Sequence, residues 1–165
     1  MKIYVHDGFS IVEMMVVITI LALLSSVALP AFDNMIMTNR LRSFANSFLA
    51  SVHLARAEAV KRNTQVTMCV SSDGATCSNG GWELGWIVTS GATVISRQQA
   101  ISTGYKMIEA AGLNTLNFRS TGIGATQATV KVCKATPSVG DQERVVRVTV
   151  TGKASVVKTN TGVCA

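Results

Sequence analysis

The sequence has little of what an enzyme active site or a metal centre usually requires. Its 165 residues include two histidines, and charged residues make up 15% of the chain. No phosphate-binding glycine loop, HExxH motif or nucleophile elbow occurs, and the acidic residues form no paired motif. No two cysteines have Cys-x-x-Cys spacing, and His6 and His53 are distant from all of them in sequence. The sequence therefore predicts a protein that is not an enzyme and has no catalytic residue, metal site or cofactor.

Aromatic residues are also scarce, at 5% of the chain. No run of them suggests a surface on which nucleic-acid bases would stack. Trp82 and Trp86 are four residues apart, so in a strand they would share one face. We expect both to pack in a core or a turn rather than to form a carbohydrate platform.

Near its start the chain has a long apolar segment, residues 9–32, with Glu13 inside it. Residues 14–32 carry no charged side chain, and their number is close to the ~20 that span a bilayer as a helix. A carboxylate in such a segment costs about 3 kcal/mol on insertion, so we expect Glu13 to have a partner. A secretory signal cleaved after Ala28 is an alternative, but the first eight residues carry no net positive charge.

Four cysteines follow the apolar segment. An even number of cysteines in an exported domain indicates two disulfides, for which three pairings are open. We favour Cys69–Cys77, which closes a short loop, and Cys133–Cys164, which ties the last residues to the body. Metal binding by these cysteines is the less favoured alternative.

The stretch DGFSIVEMMVVITILALLSSVALPAF resembles the class III signal and first half-helix of type IV pilins and type II secretion pseudopilins. Gly8 ends a short leader (1–8), Phe9 follows it, and Glu13 and Pro30 stand fifth and twenty-second after that leader. The resemblance implies that a prepilin peptidase cuts between Gly8 and Phe9 and methylates the new amine of Phe9. The following residues would then form the transmembrane and assembly half of a helix, 9–32.

Glu13 and Pro30 have specific roles by this resemblance. Glu13 would pair with the N-terminal amine of a neighbouring subunit, in a filament core where leaving either ion alone is costly. A buried structural glutamate without an assembly role is the alternative. Pro30 has no N–H group, so we expect it to kink or locally melt the helix.

A second, amphipathic half of the helix is predicted for residues 33–62. Its apolar stripe recurs with helical spacing and consists of Leu41, Phe44, Ala45, Phe48, Leu49, Val52 and Ala55. Residues 64–165 contain seven short segments rich in Val, Ile and Thr, separated by clusters of turn-forming residues. Because these strands follow the helix instead of alternating with further helices, the predicted class is α+β, with the helix packed on an antiparallel sheet.

Further stretches resemble the GspH/FimT/FimU group of minor pilins and H-type pseudopilins: GGWELGWIVTS, LNFRSTGIG, ERVVRVTVTGKASV and ARAEAVKRN. The resemblance implies a single-pass protein of the bacterial inner membrane with a periplasmic domain, 33–165. The implied function is that of a minor pilin in pilus assembly and the tip complex, and the alternative is an H-type minor pseudopilin of a type II secretion system. The implied partners are other minor and major pilins or pseudopilins, the prepilin peptidase and the inner membrane.

The net charge of +6 is compatible with an acidic partner, although solvated basic surfaces are common. Some members of the related FimT branch bind DNA through a Gly-Arg-x-Arg turn near the C-terminus. The matching stretch here, GKAS, has Lys and Ser in place of the two arginines. Double-stranded DNA is therefore a candidate partner, with a solvated surface as the alternative. The candidate contacts are Lys134, Arg144, Arg147, Lys153 and Lys158.

Overall fold

The computed structural model of the chain describes residues 8–135, 142–161 and 164, without the side chains of residues 27, 30 and 31. Within these ranges the chain forms one long α-helix followed by β-strands, which confirms the predicted α+β class. The chain divides into two compact units, Met1–Met37 and Thr38–Ala165.

The elements follow one another in a simple order. The helix is α1 (Ile11–Arg62), and a short 3-10 helix spans Trp82–Leu84. The strands are β1 (Val66–Val70), β2 (Gly85–Ser90), β3 (Thr93–Gln99), β4 (Tyr105–Glu109), β5 (Thr115–Phe118), β6 (Ala128–Lys134), β7 (Glu143–Val148) and β8 (Ala154–Thr159).

Helix α1 is continuous through position 30. The local melting that was one of two expectations for Pro30 is therefore not seen. Proline removes one backbone donor, and a long helix can lose that single hydrogen bond while the bonds of neighbouring turns remain.

The second half of α1 supplies the helical side of the core in the second unit. Five residues of the predicted stripe have no exposed surface, while Phe44 and Leu49 are partly exposed. The five are Leu41, Ala45, Phe48, Val52 and Ala55. The sequence periodicity thus located the buried face of this half-helix correctly.

Within the described residues, the strands form two four-stranded antiparallel sheets, in line with the antiparallel β-sheet domain that was predicted. The first sheet has the order β3-β2-β1-β5, and the second has the order β4-β6-β7-β8. Strand β4 was not predicted, because Lys106 and Glu109 interrupt its apolar pattern. Glu109 is buried at the end of β4, where its carboxylate accepts hydrogen bonds from the N–H groups of Ala111, Leu113 and Thr129.

Both tryptophans are core residues, as expected, with 1% of each exposed. Their rings lie edge-on to Phe48 of α1, with centroid distances of 5.1 Å for Trp82 and 5.4 Å for Trp86. The expectation that they share a strand is wrong, because Trp82 lies in the 3-10 helix. Gly85 separates the two elements with φ of 104°, a conformation in which an added Cβ would lie 2.6 Å from the carbonyl oxygen of Gln98.

The structure contains disulfides Cys69–Cys77 and Cys133–Cys164, the pairing favoured from the sequence. The Cα atoms are 5.6 Å apart in the first and 5.8 Å apart in the second. Cys69–Cys77 closes the loop after β1, and Cys133–Cys164 joins the C-terminal segment to β6.

Candidate functional site

The start of α1 carries a helix-capping arrangement at the predicted processing motif. The hydroxyl of Ser10 accepts a hydrogen bond from the N–H of Val12 at 3.3 Å, and its carbonyl accepts one from the N–H of Met14 at 3.2 Å. Ser10 and Glu13 have the Ser-x-x-Glu spacing of a capping box. Sequence analysis missed this role of Ser10, although the spacing was visible.

Glu13 is exposed in the single chain, as is Phe9, of which 73% is exposed. No ion pair joins Glu13 to another side chain in the part of the chain that the structure describes. In the first turn of α1, its negative charge is favourable to the helix dipole. Glu13 is therefore not buried in the single chain, in contrast to the alternative of a buried structural glutamate.

The first half of α1 exposes large apolar side chains all around the helix. Their exposed fractions range from 42% at Val17 to 81% at Ile11. An apolar surface of this kind marks contact with other proteins or with lipid. By length and mean apolarity, no helix within the described residues qualifies as a membrane span.

The five candidate DNA contacts do not form one patch. Arg144 pairs with the buried Val132 on one side and with Lys158 on the other, so these three side chains share one face of the second sheet. Lys134 is on the same face, because it is two residues beyond Val132 on β6. Arg147 is exposed on the opposite face, in line with the spacing of three residues from Arg144. Lys153 is exposed in the connection between β7 and β8.

Arg144 is unsuited to direct contact with a large ligand, because only 6% of it is exposed. Its Nη1 donates a hydrogen bond to the backbone carbonyl of Glu143 at 2.9 Å. Burial, and to a smaller extent the positive charge of Arg42, lower the pKa of Arg144. Arg42 was not among the sequence candidates, since its position relative to β7 depends on how α1 packs.

A different group of cations surrounds the C-terminal end of α1. Nε of Arg56 donates a hydrogen bond to the carbonyl of Gly122 at 2.9 Å. Gly152 is packed so closely here that an added Cβ would lie 2.8 Å from the same Nε. The β5–β6 and β7–β8 connections are joined directly, because the N–H of Gly124 donates to the carbonyl of Val150 at 2.7 Å. These contacts place Gly152, which directly precedes the exposed Lys153, against Arg56.

We call this region the helix-end surface and define it as Arg56, Val60, Arg119, Ile123 and Lys153. Arg119 is exposed, and an added Cβ on Gly124 would lie 3.1 Å from its Cδ. Val60 and Ile123 are exposed by 52% and 59%. The helix-end surface therefore combines two exposed apolar side chains with three cations. Of its members, sequence analysis had selected only Lys153.

Two carboxylates outside these surfaces are held by hydrogen bonds within the fold. Hydrogen bonds from backbone N–H groups of Thr76 and Ala75, and from the hydroxyls of Thr76 and Ser71, hold the pKa of Asp73 well below its usual range. This network organises the loop that Cys69–Cys77 closes. Among the described residues, no group of three or more His, Cys, Asp or Glu side chains is arranged to bind a metal ion.

Glu143 anchors the chain that follows β8. Its carboxylate accepts hydrogen bonds from the hydroxyl of Thr159 at 3.0 Å and from the hydroxyl and N–H of Thr161 at 2.7 and 3.1 Å. Burial by itself would raise the pKa of Glu143, but these hydrogen bonds and the charge of Lys131 outweigh it and lower that pKa. Glu143 therefore acts within the fold, together with the nearby Cys133–Cys164 disulfide.

Two known sequence families match the chain. The family described as Type II transport protein GspH matches residues 45–153, and the prokaryotic N-terminal methylation motif matches residues 6–29. The chain belongs to the GspH family. Among curated protein sequences, none matches the chain.

Solved structures of similar fold include a minor pilin and a minor pseudopilin. The type IV minor pilin FimU of Pseudomonas aeruginosa aligns with a TM-score of 0.61 at 20% identity, over 77% of this chain and 95% of FimU. The minor pseudopilin EpsH from the type 2 secretion system of Vibrio cholerae aligns with a TM-score of 0.53 at 14% identity, over 72% of this chain and 97% of EpsH. At these identities the structures establish the shared fold.

The GspH-family match, the methylation motif and the fold together make this chain a minor type IV pilin or a minor pseudopilin. Its family and fold are those of structural pilins rather than of enzymes. The methylation motif covers Gly8, Phe9 and Glu13, three of the four residues from which the resemblance was drawn, and it ends one residue before Pro30.

Proposed function

We propose that this GspH-family protein is a minor type IV pilin of the FimT/FimU kind that takes part in pilus assembly and the tip complex. The observation that carries this proposal is the first half of α1, which exposes apolar side chains around its circumference in the single chain. Packing against other pilin subunits would remove that apolar surface from water.

The route into the filament follows from the processing motif. A prepilin peptidase cuts between Gly8 and Phe9 and methylates the amine of Phe9, while residues 9–32 hold the protein in the inner membrane and the remainder lies in the periplasm. On assembly, the exposed Glu13 pairs with the N-terminal amine of a neighbouring major or minor pilin. The absence of an intramolecular ion pair at Glu13 among the described residues supports this role.

The alternative function is that of an H-type minor pseudopilin in a type II secretion system. The family description and the fold of EpsH support it. Deletion of the gene separates the two functions, because loss of surface pili and twitching indicates a pilin, whereas loss of exoprotein secretion indicates a pseudopilin. Complementation with the intact chain is the control for both phenotypes.

DNA binding is a second candidate function, and the helix-end surface favours it. Three cations, Arg56, Arg119 and Lys153, surround two connections that are hydrogen-bonded to each other. Contacts from such cations to phosphates are tolerant of sequence and weaken as salt is added. Lys153 keeps the positive charge of the first arginine in the matching Gly-Arg-x-Arg turn of the FimT branch, but it lacks the bidentate geometry of that arginine.

The test of DNA binding is an anisotropy titration of the full chain in neutral detergent with duplex DNA at low and physiological salt. We expect Kd in the micromolar range, weakening with salt, and a further loss in Lys153→Ala. Lys106→Ala, which removes an exposed cation from β4, is the matched control. Absence of binding at low salt, or equal effects of the two substitutions, would contradict DNA binding at this surface.

A further inference from the structure

One face of the second sheet brings cations together near the beginning of β7. Arg144 and Lys158 are direct register partners on β7 and β8, so their side chains lie on the same face with Cβ atoms about 5 Å apart. Like charges placed directly opposite each other destabilise a sheet. Arg144 is nevertheless buried, whereas Lys158 is exposed.

A third cation comes from α1. The hydroxyl of Thr38 donates a hydrogen bond to Oε1 of Gln142 at 3.1 Å, which places this turn of α1 against the residue that precedes β7. Arg42 is four residues after Thr38 and therefore on the same side of the helix. Arg144 is two residues after Gln142 and on the same side of the strand. The exposed Arg42 therefore lies next to Arg144, and its charge acts on that guanidinium.

Lys134 completes the group. It is two residues beyond Val132 on β6, which pairs with Arg144, and its side chain therefore lies on the same face of the sheet. We call the group of Arg42, Lys134, Arg144 and Lys158 the cationic recess. Across the ranges 8–135 and 142–161, no ion pair joins any of its members to a carboxylate. The nearby carboxylate of Glu143 is instead bonded to Thr159 and Thr161.

We propose that the cationic recess binds a carboxylate side chain of a neighbouring pilin or pseudopilin subunit, an inference that rests on the proposed function. Arg144 is removed from water without a described acidic partner, and a buried charge in that state is costly. The planar guanidinium fork matches a carboxylate, and the exposed Arg42 and Lys158 provide its entrance.

The geometry favours a compact anion over a DNA backbone. A duplex presents a row of phosphates, which requires several exposed cations along a surface. In the cationic recess, by contrast, only 6% of Arg144 is exposed, and the exposed cations are Arg42 and Lys158. Of its four members, only Arg42 lies on α1, and in the sequence it follows the exposed apolar half of that helix.

The direct test is zero-length cross-linking of purified filaments that contain the full chain. A water-soluble carbodiimide activates a carboxylate as an O-acylisourea, and the amine of Lys158 then forms an amide while the reagent leaves as its urea. We expect mass spectrometry to find Lys158 joined to an Asp or Glu of a different subunit. The cross-link should be lost in Lys158→Arg, which keeps the charge but has no reactive amine, while cross-linking of other lysines is unchanged.

A link from Lys158 to a carboxylate of its own chain would overturn the inference, as would no link at Lys158 in filaments that contain the chain. Loss of DNA binding in Lys158→Ala without any intersubunit link would also overturn it, in favour of a phosphate site. If the wild-type chain is absent from both pili and pseudopili, the proposed function fails and this inference fails with it. Failure of this inference alone and failure of the proposed function therefore give different experimental results.

Charge reversal provides a second measurement. Arg42→Glu and Lys158→Glu should each reduce the amount of the chain in filaments about tenfold, since loss of a charge pair at an interface weakens association by at least that factor. Arg97→Glu and Lys106→Glu, which reverse exposed cations on β3 and β4, are the matched controls and should be incorporated normally. Equal incorporation of all four variants would contradict the inference.

Discussion

Glu13 has two physical roles available to it at the scale of the single residue. It stands three residues after the helix cap Ser10, the spacing of a capping box, and it presents an exposed carboxylate to any neighbouring subunit. The cap stabilises α1 in one chain, whereas the carboxylate can join two chains. The two roles require different chemistry, because a glutamine suffices for the cap and only a charge attracts an amine.

Substitution of Glu13 should separate these roles. Glu13→Ala and Glu13→Gln should both leave membrane insertion intact and lower incorporation into filaments at least about tenfold, because each removes the charge that pairs with the neighbouring amine. Immunoblots of membranes and of sheared filaments measure the two quantities. Asp33→Ala, which removes another exposed carboxylate from α1, is the control.

Normal incorporation of Glu13→Gln together with a defect in Glu13→Ala would indicate that the cap matters and the charge does not. Normal incorporation of both would refute the pairing altogether.

Glu143 makes stability depend on pH in a defined direction. Its pKa in the folded protein is lower than the ordinary value of 4.5, so its contribution is present above that value and is lost as the pH falls through the folded pKa. Thr161→Val removes a hydroxyl donor and should cost about 1–2 kcal/mol at pH 7. The difference from wild type should shrink as the pH falls through the folded pKa of Glu143, because the weaker hydrogen bonds of a protonated carboxyl then replace the charge-assisted ones.

Thermal unfolding of the full chain in detergent, over a series of pH values from 7 downwards, measures this effect. Thr93→Val, a change at an exposed threonine of β3, is the control and should show no pH-dependent difference. A Thr161→Val deficit that stays constant down to the pH at which the wild-type chain unfolds in acid would contradict the assignment to Glu143.

At the scale of elements, regular spacing was sufficient to predict α1 and most strands. The helical stripe from Leu41 to Ala55 and the alternating segment of β6 are local patterns that one stretch of sequence contains completely. Strand β4 was missed because Lys106 and Glu109 occupy two of its five positions. The division into two sheets was also missed, because strand pairing joins residues that are distant in sequence.

The candidate functional residues were also predicted only where they are close together in sequence. Gly8, Phe9 and Glu13 could be found from sequence because the motif is contiguous. The helix-end surface and the cationic recess combine α1 with strands or connections far along the chain. Arg42 and Arg56 therefore had no local signal, and the burial of Arg144 was not predicted.

The two disulfides should contribute unequally to stability. In the loop-entropy account, Cys133–Cys164, with a separation of 31 residues, stabilises the fold by about 3–4 kcal/mol, and Cys69–Cys77, with a separation of 8, by about 2–3 kcal/mol. Paired Cys→Ser variants of each, unfolded in guanidinium chloride, should show the larger loss for Cys133–Cys164. An unchanged thermal midpoint after full reduction would show that neither disulfide stabilises the protein.

At the scale of the whole molecule, the family, the motif and the fold agree on a pilin-like subunit whose single chain leaves contacts unmade. The first half of α1 exposes its apolar side chains, and Glu13 lacks an ion-pair partner among the described residues. A filament of such subunits would satisfy both features at once. In the proposed function, removal of the leader precedes entry into such a filament.

The mass of the mature protein purified from its native cells tests this account most directly. We predict a chain that begins at Phe9 with a methylated amine, and an unshifted mass that retains residues 1–8 when Gly8 is replaced by leucine. A mature N-terminus at Leu29 would instead identify an ordinary secreted protein. A wild-type chain that keeps Met1 and the rest of the leader would likewise contradict the account.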